Sequence, residues 1–333
     1  MSTNRWIDRL PALHKPMPIL SFPSASLMEV SVYSLTHDAA VQAEGIVRVA
    51  RETDAAAAVT MMDLSVEAEA FGCILHTAEN EVPTVVGALV ADEDEADALS
   101  IPSVGDARTG LYIEAAQNAK VRIADRPVLA GVIGPFSLAG RLMDVTEALA
   151  NCICDPDFVH AVLRKTTPFL ITYARAYKDA GLDGMVMAEP LSGLLSPTLE
   201  EEFAAPYVRE IIAAVQDDSF AVIYHNCGPN TPKMIPSLSS KGAAAYHFGD
   251  AVQLTDLLAG MPSDRPVMGN ISPSGQFLGG TPASMTAAVR ELLEQCAGYE
   301  NFVLSSGCDI PPASSWDNIR AFFGASADFY AHF

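Results

Sequence analysis

Basic residues are scarce in this 333-residue chain, where 20 Lys and Arg stand against 41 Asp and Glu for a net charge of -21. No basic stripe is left to displace counterions from a phosphate backbone, so nucleic-acid binding is not expected. The same imbalance makes a polyanionic substrate hard to hold. Long hydrophobic runs are missing too: nothing approaches transmembrane length, and the opening MSTNRWIDRLPALHKPMP lacks the apolar stretch of a secretory signal. The expectation is a soluble cytoplasmic protein that does not engage a membrane. No G-x-G-x-x-G follows any apolar run, which removes the dinucleotide fingerprint. The six cysteines are scattered along the chain, a pattern of free thiols, metal ligands or catalytic groups rather than a disulfide framework. No Ser/Gly linker divides the chain.

What is present is a series of short apolar runs ending in small or polar residues: PILSF (18–22), AAVTMMD (57–63), PVLAGVIGP (127–135), GMVMAEP (184–190), FAVIYHNC (220–227), GAAAYHF (242–248), PVMGNIS (266–272) and FVLSSGC (302–308). Helical patterns separate most of them. Asp155-Pro156 opens one helix that ends at Gly181, Thr198 with Glu201 forms a capping box for a second, and Thr281-Pro282 opens a third. The acidic run DEDEAD (92–97) reads as a solvated loop or helix start, and the connections 64–126 and 134–183 have room for extra helices or a hairpin. Apolar strands alternating with helices imply a parallel sheet covered by helices. The predicted fold is α/β, a single (β/α)8 TIM-type barrel over 1–333 with N-terminal and loop helical additions. In such barrels the chemistry sits at the C-terminal ends of the strands. That rule makes Asp63, Glu189, His225, Cys227, His247, Asn270 and Cys308 the candidate residues.

Within VIYHNCGPN, His225 and Cys227 are two apart at a strand end and so face the same way. Cys308 in LSSGCDIPP ends the last strand in a similar setting. Two thiolates and an imidazole on one barrel face suit zinc above other common divalent ions, and leave a fourth position open. Cys73 and Cys296 fall in helical patterns and Cys152-Ile-Cys154 lies just before a helix cap, so these four read as structural. Asp250, His247 and Glu189 are candidates for a fourth ligand, but a hydrogen bond that orients His225 is the favoured role for each. Asp63 and Asn270 are expected to line the substrate funnel with Glu189 and His247, Asp63 being equally suited to cap a helix beginning at Ser65.

The chain resembles the uroporphyrinogen decarboxylase superfamily over nearly its whole length, through MDLSVEAEAFGC (62–73), GPFSLAGRL (134–142), EPLSGLLSPTLEEEFAAPY (189–207) and GCDIPPASSWDNIRAF (307–322). YHNCG and SSGCDIPP are similar to the zinc motifs of its corrinoid:thiol methyltransferase branch, and cobalamin-independent methionine synthase is similar in its His-x-Cys and later Cys. The resemblance implies a uroporphyrinogen decarboxylase-like barrel holding Zn2+ on His225, Cys227 and Cys308. It also implies methylcobalamin or a related corrinoid as methyl donor, a small corrinoid protein as partner, and a small thiol such as coenzyme M as acceptor. Porphyrinogen decarboxylases resemble one another in an arginine-rich N-terminal segment and a histidine near Cys308. Here Lys15 is the one basic residue between Arg9 and Arg48, and a thiol stands at 308. A lyase acting on another substrate and a non-catalytic zinc-binding protein are the alternative readings.

Overall fold

A computed structural model describes residues 5–332. Seven strands form one parallel sheet: β1 (Ala58–Val59), β4 (Val128–Ile133), β5 (Gly184–Ala188), β6 (Ala221–Asn226), β7 (Ala245–Phe248), β8 (Val267–Ile271) and β9 (Phe302–Ser306), neighbours in that order. A separate antiparallel hairpin, β2 (Ile74–Ala78) with β3 (Glu81–Val86), occupies the first long connection. Among the described residues no helix is long and apolar enough to cross a membrane.

The eighth expected strand, at 18–22, is not one. Pro16 and Pro18 flank Met17 and carry no N–H, so a regular ladder cannot form there. The segment nevertheless lies between the two edges of the sheet. Met17 N–H donates to Leu304 O on β9 (2.9 Å) and Ala56 N–H, just ahead of β1, donates to Pro16 O (2.8 Å). Side chains complete the contact, with Ile19 N–H donating to Ser306 Oγ (3.0 Å) and Ser305 Oγ to Met17 O (2.7 Å). This arrangement is consistent with a TIM-type fold.

Strand alternation divides the core in two. One set of side chains, including Val128, Val132, Met185, Val222, Tyr246, Phe302 and Leu304, packs outward against the helices. The other, including Leu129, Val186, Ile223, Ala245, Met268 and Val303, faces inward and is joined by Ile7, Leu10, Met17 and Ile19 from the N-terminal segment. Two residues further along the inward-facing strands stand His225, His247, Asn270 and Ser305. Apolar filling therefore gives way to polar groups toward the C-terminal ends.

The helix openings follow the sequence, with one exception. Asp155 caps Pro156–Asp179 by accepting from Phe158 N–H, and Thr281 and Ser284 form a capping box at Pro282–Cys296. Asp92 caps Glu93–Ala98 within the acidic run. At Pro197–Phe203, however, the cap is Ser196, whose hydroxyl accepts from Leu199 N–H, because Pro197 fixes N1 earlier than the Thr198 box would. Cys152 and Cys154 end the helix Val145–Cys154 and stand just ahead of the Asp155 cap, as expected, whereas Cys73 follows the helix Val66–Phe71 instead of lying in one.

Candidate metal centre

The backbone brings three donors together. His225 is the penultimate residue of β6, Cys227 follows that strand, and Cys308 lies two residues past β9. Their ligand atoms all lie within 4.8 Å of one another, with Cys308 Sγ 3.4 Å from His225 Nε2. Two donors sharing a tetrahedral zinc through ordinary Zn–N and Zn–S bonds stand about 3.5 Å apart, so the residues fit the ion. Glycine makes the approach possible: a Cβ on Gly249 would meet Cys227 Cβ at 2.4 Å, and one on Gly307 would meet Asp250 N at 2.8 Å.

The tautomer of His225 follows from its partners. Ser305 Oγ donates to Met17 O (2.7 Å), so toward His247 Nε2 (2.8 Å) it accepts, which places the His247 proton on Nε2. His247 Nδ1 is then a bare acceptor 2.8 Å from His225 Nδ1, and His225 Nδ1 carries the proton. The 3.3 Å contact of the same nitrogen with His247 O agrees, since a carbonyl can only accept. The His225 Nε2 lone pair is thereby turned to the sulfurs. Burial, with His225 alongside, holds His247 well below the usual imidazole range, which keeps it neutral.

Between the two cysteines, a hydrogen bond from Cys308 holds the Cys227 thiol below its ordinary range against the opposing effect of burial. The same bond, with burial, pushes the Cys308 thiol up to about 12, while His225 pulls the other way. Cys308 thus keeps its proton and directs it at the Cys227 sulfur. A divalent cation would replace it.

The other expected site residues occupy different positions. Asp250 is exposed and, among the described residues, lies outside the converging donor group. His247 contacts His225 directly, as expected of an orienting residue. Glu189 turns away to the start of the helix Pro135–Met143, accepting from Phe136 N–H (3.0 Å) and Ser137 N–H (2.5 Å). Burial pushes its carboxyl up to about 7 in spite of those bonds. Asn270 Nδ2 donates to Gly249 O and Val252 O, both 2.9 Å, and so fastens the loop whose Gly249 packs on Cys227. Asp63 is buried under Arg108 Nη1 (2.7 Å) and Tyr112 Oη (2.7 Å), and its other oxygen accepts from Ser65 N–H (3.1 Å). It secures the turn into the helix at 66–71, the alternative role expected of it, rather than lining a funnel.

A cavity of about 270 Å3 adjoins the centre, with Cys227 in its wall beside Leu64, Ile133, Arg141, Leu191 and Leu194. Ser137 and Arg141, four residues apart on one helix face, were not legible as site residues. Ser305 also escaped notice, although a polar residue within an apolar strand was its signal.

A cluster of two thiols and an oriented imidazole at the strand ends of a seven-stranded parallel sheet defines a class, and the family model described as Uroporphyrinogen decarboxylase (URO-D) matches residues 3–329; the chain belongs to that family. Among its relatives is the methylcobamide:CoM methyltransferase MtbA of Methanosarcina mazei, 27% identical over 262 residues that cover 78% of this chain and 75% of the relative. A uroporphyrinogen decarboxylase of Desulfotalea psychrophila is also 27% identical, over 228 residues covering 67% of this chain and 66% of the relative. A solved methyltransferase from Methanosarcina mazei shares the fold with a TM-score of 0.85 at 21% identity, covering 98% of this chain and 99% of its own.

Proposed function

We propose that the chain is a zinc-dependent methyltransferase. It would move a methyl group from a methylated corrinoid, carried on a small corrinoid protein, to a small thiol such as coenzyme M. The observation that carries this reading is the convergence of His225, Cys227 and Cys308, with Cys227 in the wall of a small, largely apolar cavity. The methylcobamide:CoM methyltransferase relatives support it.

Zinc, when bound, supplies deprotonation and alignment of the acceptor thiol. The chain's own residues do the rest. His225 offers Nε2 while His247 holds its other nitrogen protonated, and two cysteine thiolates with a neutral imidazole make a site whose charge favours nucleophilic sulfur. Leu64, Ile133, Leu191 and Leu194 exclude water from the acceptor, which leaves its sulfur less solvated and more reactive. In the transfer an S–C bond forms as the Co–C bond breaks, and the electron pair stays with cobalt. At about 270 Å3 the cavity is below the usual range for drug-sized ligands, about 300–1,000 Å3. A thiol of a few atoms fits, whereas a corrin ring must present its methyl group from the rim.

The decarboxylase activity of other family members finds little support in the charges. Lys15, the one Lys or Arg between positions 9 and 48, is paired with Asp54 at 2.6 Å on the surface. The test is metal analysis of purified protein together with methylcobalamin demethylation in the presence of several thiols. About one zinc per chain and thiol-dependent demethylation are expected. Turnover of uroporphyrinogen by metal-free protein, with no methylated thiol formed, would overturn the reading.

A further inference from the structure

Resting on the metal site of that proposed function, but not on methyl transfer, we infer that Ser305 is a positioning residue: anchored on the backbone of the proline-flanked Met17, it decides which nitrogen His225 offers to a metal. The segment that fails to form an eighth strand thereby sets a ligand three hydrogen bonds away. The anchor comes from the sequence. Met17 precedes Pro18, whose ring restricts it to extended backbone, and Pro16 has a fixed φ of its own. The surrounding bonds hold the segment in place: Met17 N–H donates to Leu304 O (2.9 Å), Ile19 N–H to Ser306 Oγ (3.0 Å) and Ile310 N–H to Ile19 O (3.1 Å). Met17 O is thus held against β9.

From that carbonyl the direction of the chain is forced. Ser305 Oγ donates to Met17 O (2.7 Å) and lies 2.8 Å from His247 Nε2, and His247 Nδ1 lies 2.8 Å from His225 Nδ1. A hydroxyl or a neutral imidazole can donate and accept, whereas a carbonyl can only accept. Ser305 therefore spends its one proton on Met17 and receives one from His247. The carbonyl of His247 favours the same proton on His225 Nδ1, but from 3.3 Å. Without the hydroxyl, the His247 proton loses its acceptor at Nε2 and is better placed on Nδ1, where it is donated to His225. The His225 proton then moves to Nε2, the nitrogen 3.4 Å from Cys308 Sγ. A protonated Nε2 has no lone pair for a metal.

Packing alone does not account for the residue. Ser305 is fully buried in β9, two positions after the apolar, inward-facing Val303. Burying a hydroxyl costs free energy that only its hydrogen bonds offset, and an apolar side chain there would carry no such cost. The next residue supplies an internal control. Ser306 is equally buried and also binds the segment, through Ile19 N–H, yet its hydroxyl lies outside the chain that leads to His225.

The experiment reads the tautomers directly, from nitrogen-15 spectra of metal-free protein labelled at histidine. Wild type should show His225 protonated on Nδ1 and His247 on Nε2. Ser305→Ala removes only the hydroxyl and should shift His225 to a mixture with the Nε2–H form. Zinc affinity in chelator competition should then fall about 10-fold, the lower end of the range for groups that orient a ligating histidine. Ser305→Thr, which keeps the hydroxyl, should return His225 to one tautomer and recover most of the zinc affinity. Ser306→Ala should leave both readouts as in wild type. Unfolding curves of all three variants separate these effects from loss of stability. An unchanged His225 tautomer in Ser305→Ala, or an equal loss of zinc affinity in Ser305→Ala and Ser306→Ala, would overturn the positioning role. Absence of zinc binding by wild type would instead remove the metal-dependent reading, while the histidine spectra still decide the role of Ser305.

Discussion

The inward face of the sheet has two levels built by the same strands, and they do different work. At the lower level Leu129, Val186, Ile223, Ala245, Met268 and Val303 are buried and apolar. One step of strand alternation higher, His225 and His247 stand side by side as Cα partners of β6 and β7, and Ser305 pairs with Asn270 across β8 and β9. The lower level is close-packed hydrocarbon, which stabilises through area removed from water. The upper level is a chain of directed hydrogen bonds that ends on a lone pair. A period of two residues is therefore enough to place a reactive layer on an inert one without a separate scaffold.

The strongest test of this division is to remove a donor. Cys227→Ala and Cys308→Ala should each reduce zinc from about one per chain to near none. The thermal midpoint of the metal-free protein should change little, since neither sulfur contributes to the lower level. Full zinc retention by both variants would refute the centre. The complementary change is Ile223→Ala, which should cost about 2–5 kcal/mol in denaturant unfolding, as expected for a fully buried aliphatic side chain, while leaving zinc stoichiometry intact. Loss of zinc at unchanged stability would mean that the two levels are not separable.

A smaller effect is expected at His247. Replacing it with Phe removes the nearer acceptor of the His225 Nδ1 proton and leaves only the 3.3 Å contact with the residue 247 carbonyl, so zinc affinity in chelator competition should fall about 10- to 100-fold. His247→Gln, whose amide oxygen can still accept, should recover part of the loss. Nitrogen-15 spectra of His225 should show one tautomer in wild type and a mixture in the Phe variant. A single tautomer in both would show that the hydrogen-bond chain does not orient the ring.

Much of this was legible from residues close together in sequence. His-x-Cys at the end of an apolar run and Gly-Cys after another declare their own direction, because strand alternation is local and needs no tertiary knowledge. The same holds for Asp155-Pro156 and Thr281-Pro282. Where the reading failed, the deciding partner was distant or two local signals overlapped. Asp63 was left between a funnel role and a helix cap because Arg108 and Tyr112, which enclose it, arrive from 45 and 49 positions away. Asn270 likewise spends its amide on carbonyls 18 and 21 positions back. The run at 18–22 looked like a strand because its side chains are apolar, yet strand pairing depends on N–H groups that Pro16 and Pro18 lack. At the helix 197–203, Ser196-Pro197 and Thr198-Glu201 were both valid caps, and the earlier one prevailed. Arg141 gave no signal because a cation on a helix is ordinary until the cavity beside it is seen in three dimensions.

The smallest predicted effect sharpens the comparison from the side, through a buried acid near the strand ends that serves neither level. Glu67 accepts from Ile133 N–H at 3.1 Å with one oxygen, and its other oxygen has no partner among the described residues. Burial pushes the carboxyl up to about 8, only partly offset by backbone N–H groups. An unfolded glutamate titrates near 4.3. Between about pH 4.3 and 8 the folded chain therefore keeps a proton that the unfolded chain has released, and stability falls as pH rises through that window before levelling off. Glu67→Gln keeps the acceptor for Ile133 but cannot ionise, so its unfolding free energy should fall less steeply across the same range. The variant should gain steadily on wild type toward pH 8, against a pH-independent cost because the Gln amide N–H2 inherits the unpartnered position. Zinc content should be unchanged in the variant. Parallel stability curves from pH 5 to 8 would show that Glu67 is ionised in the folded chain, and a loss of zinc would bring this acid into the upper level after all.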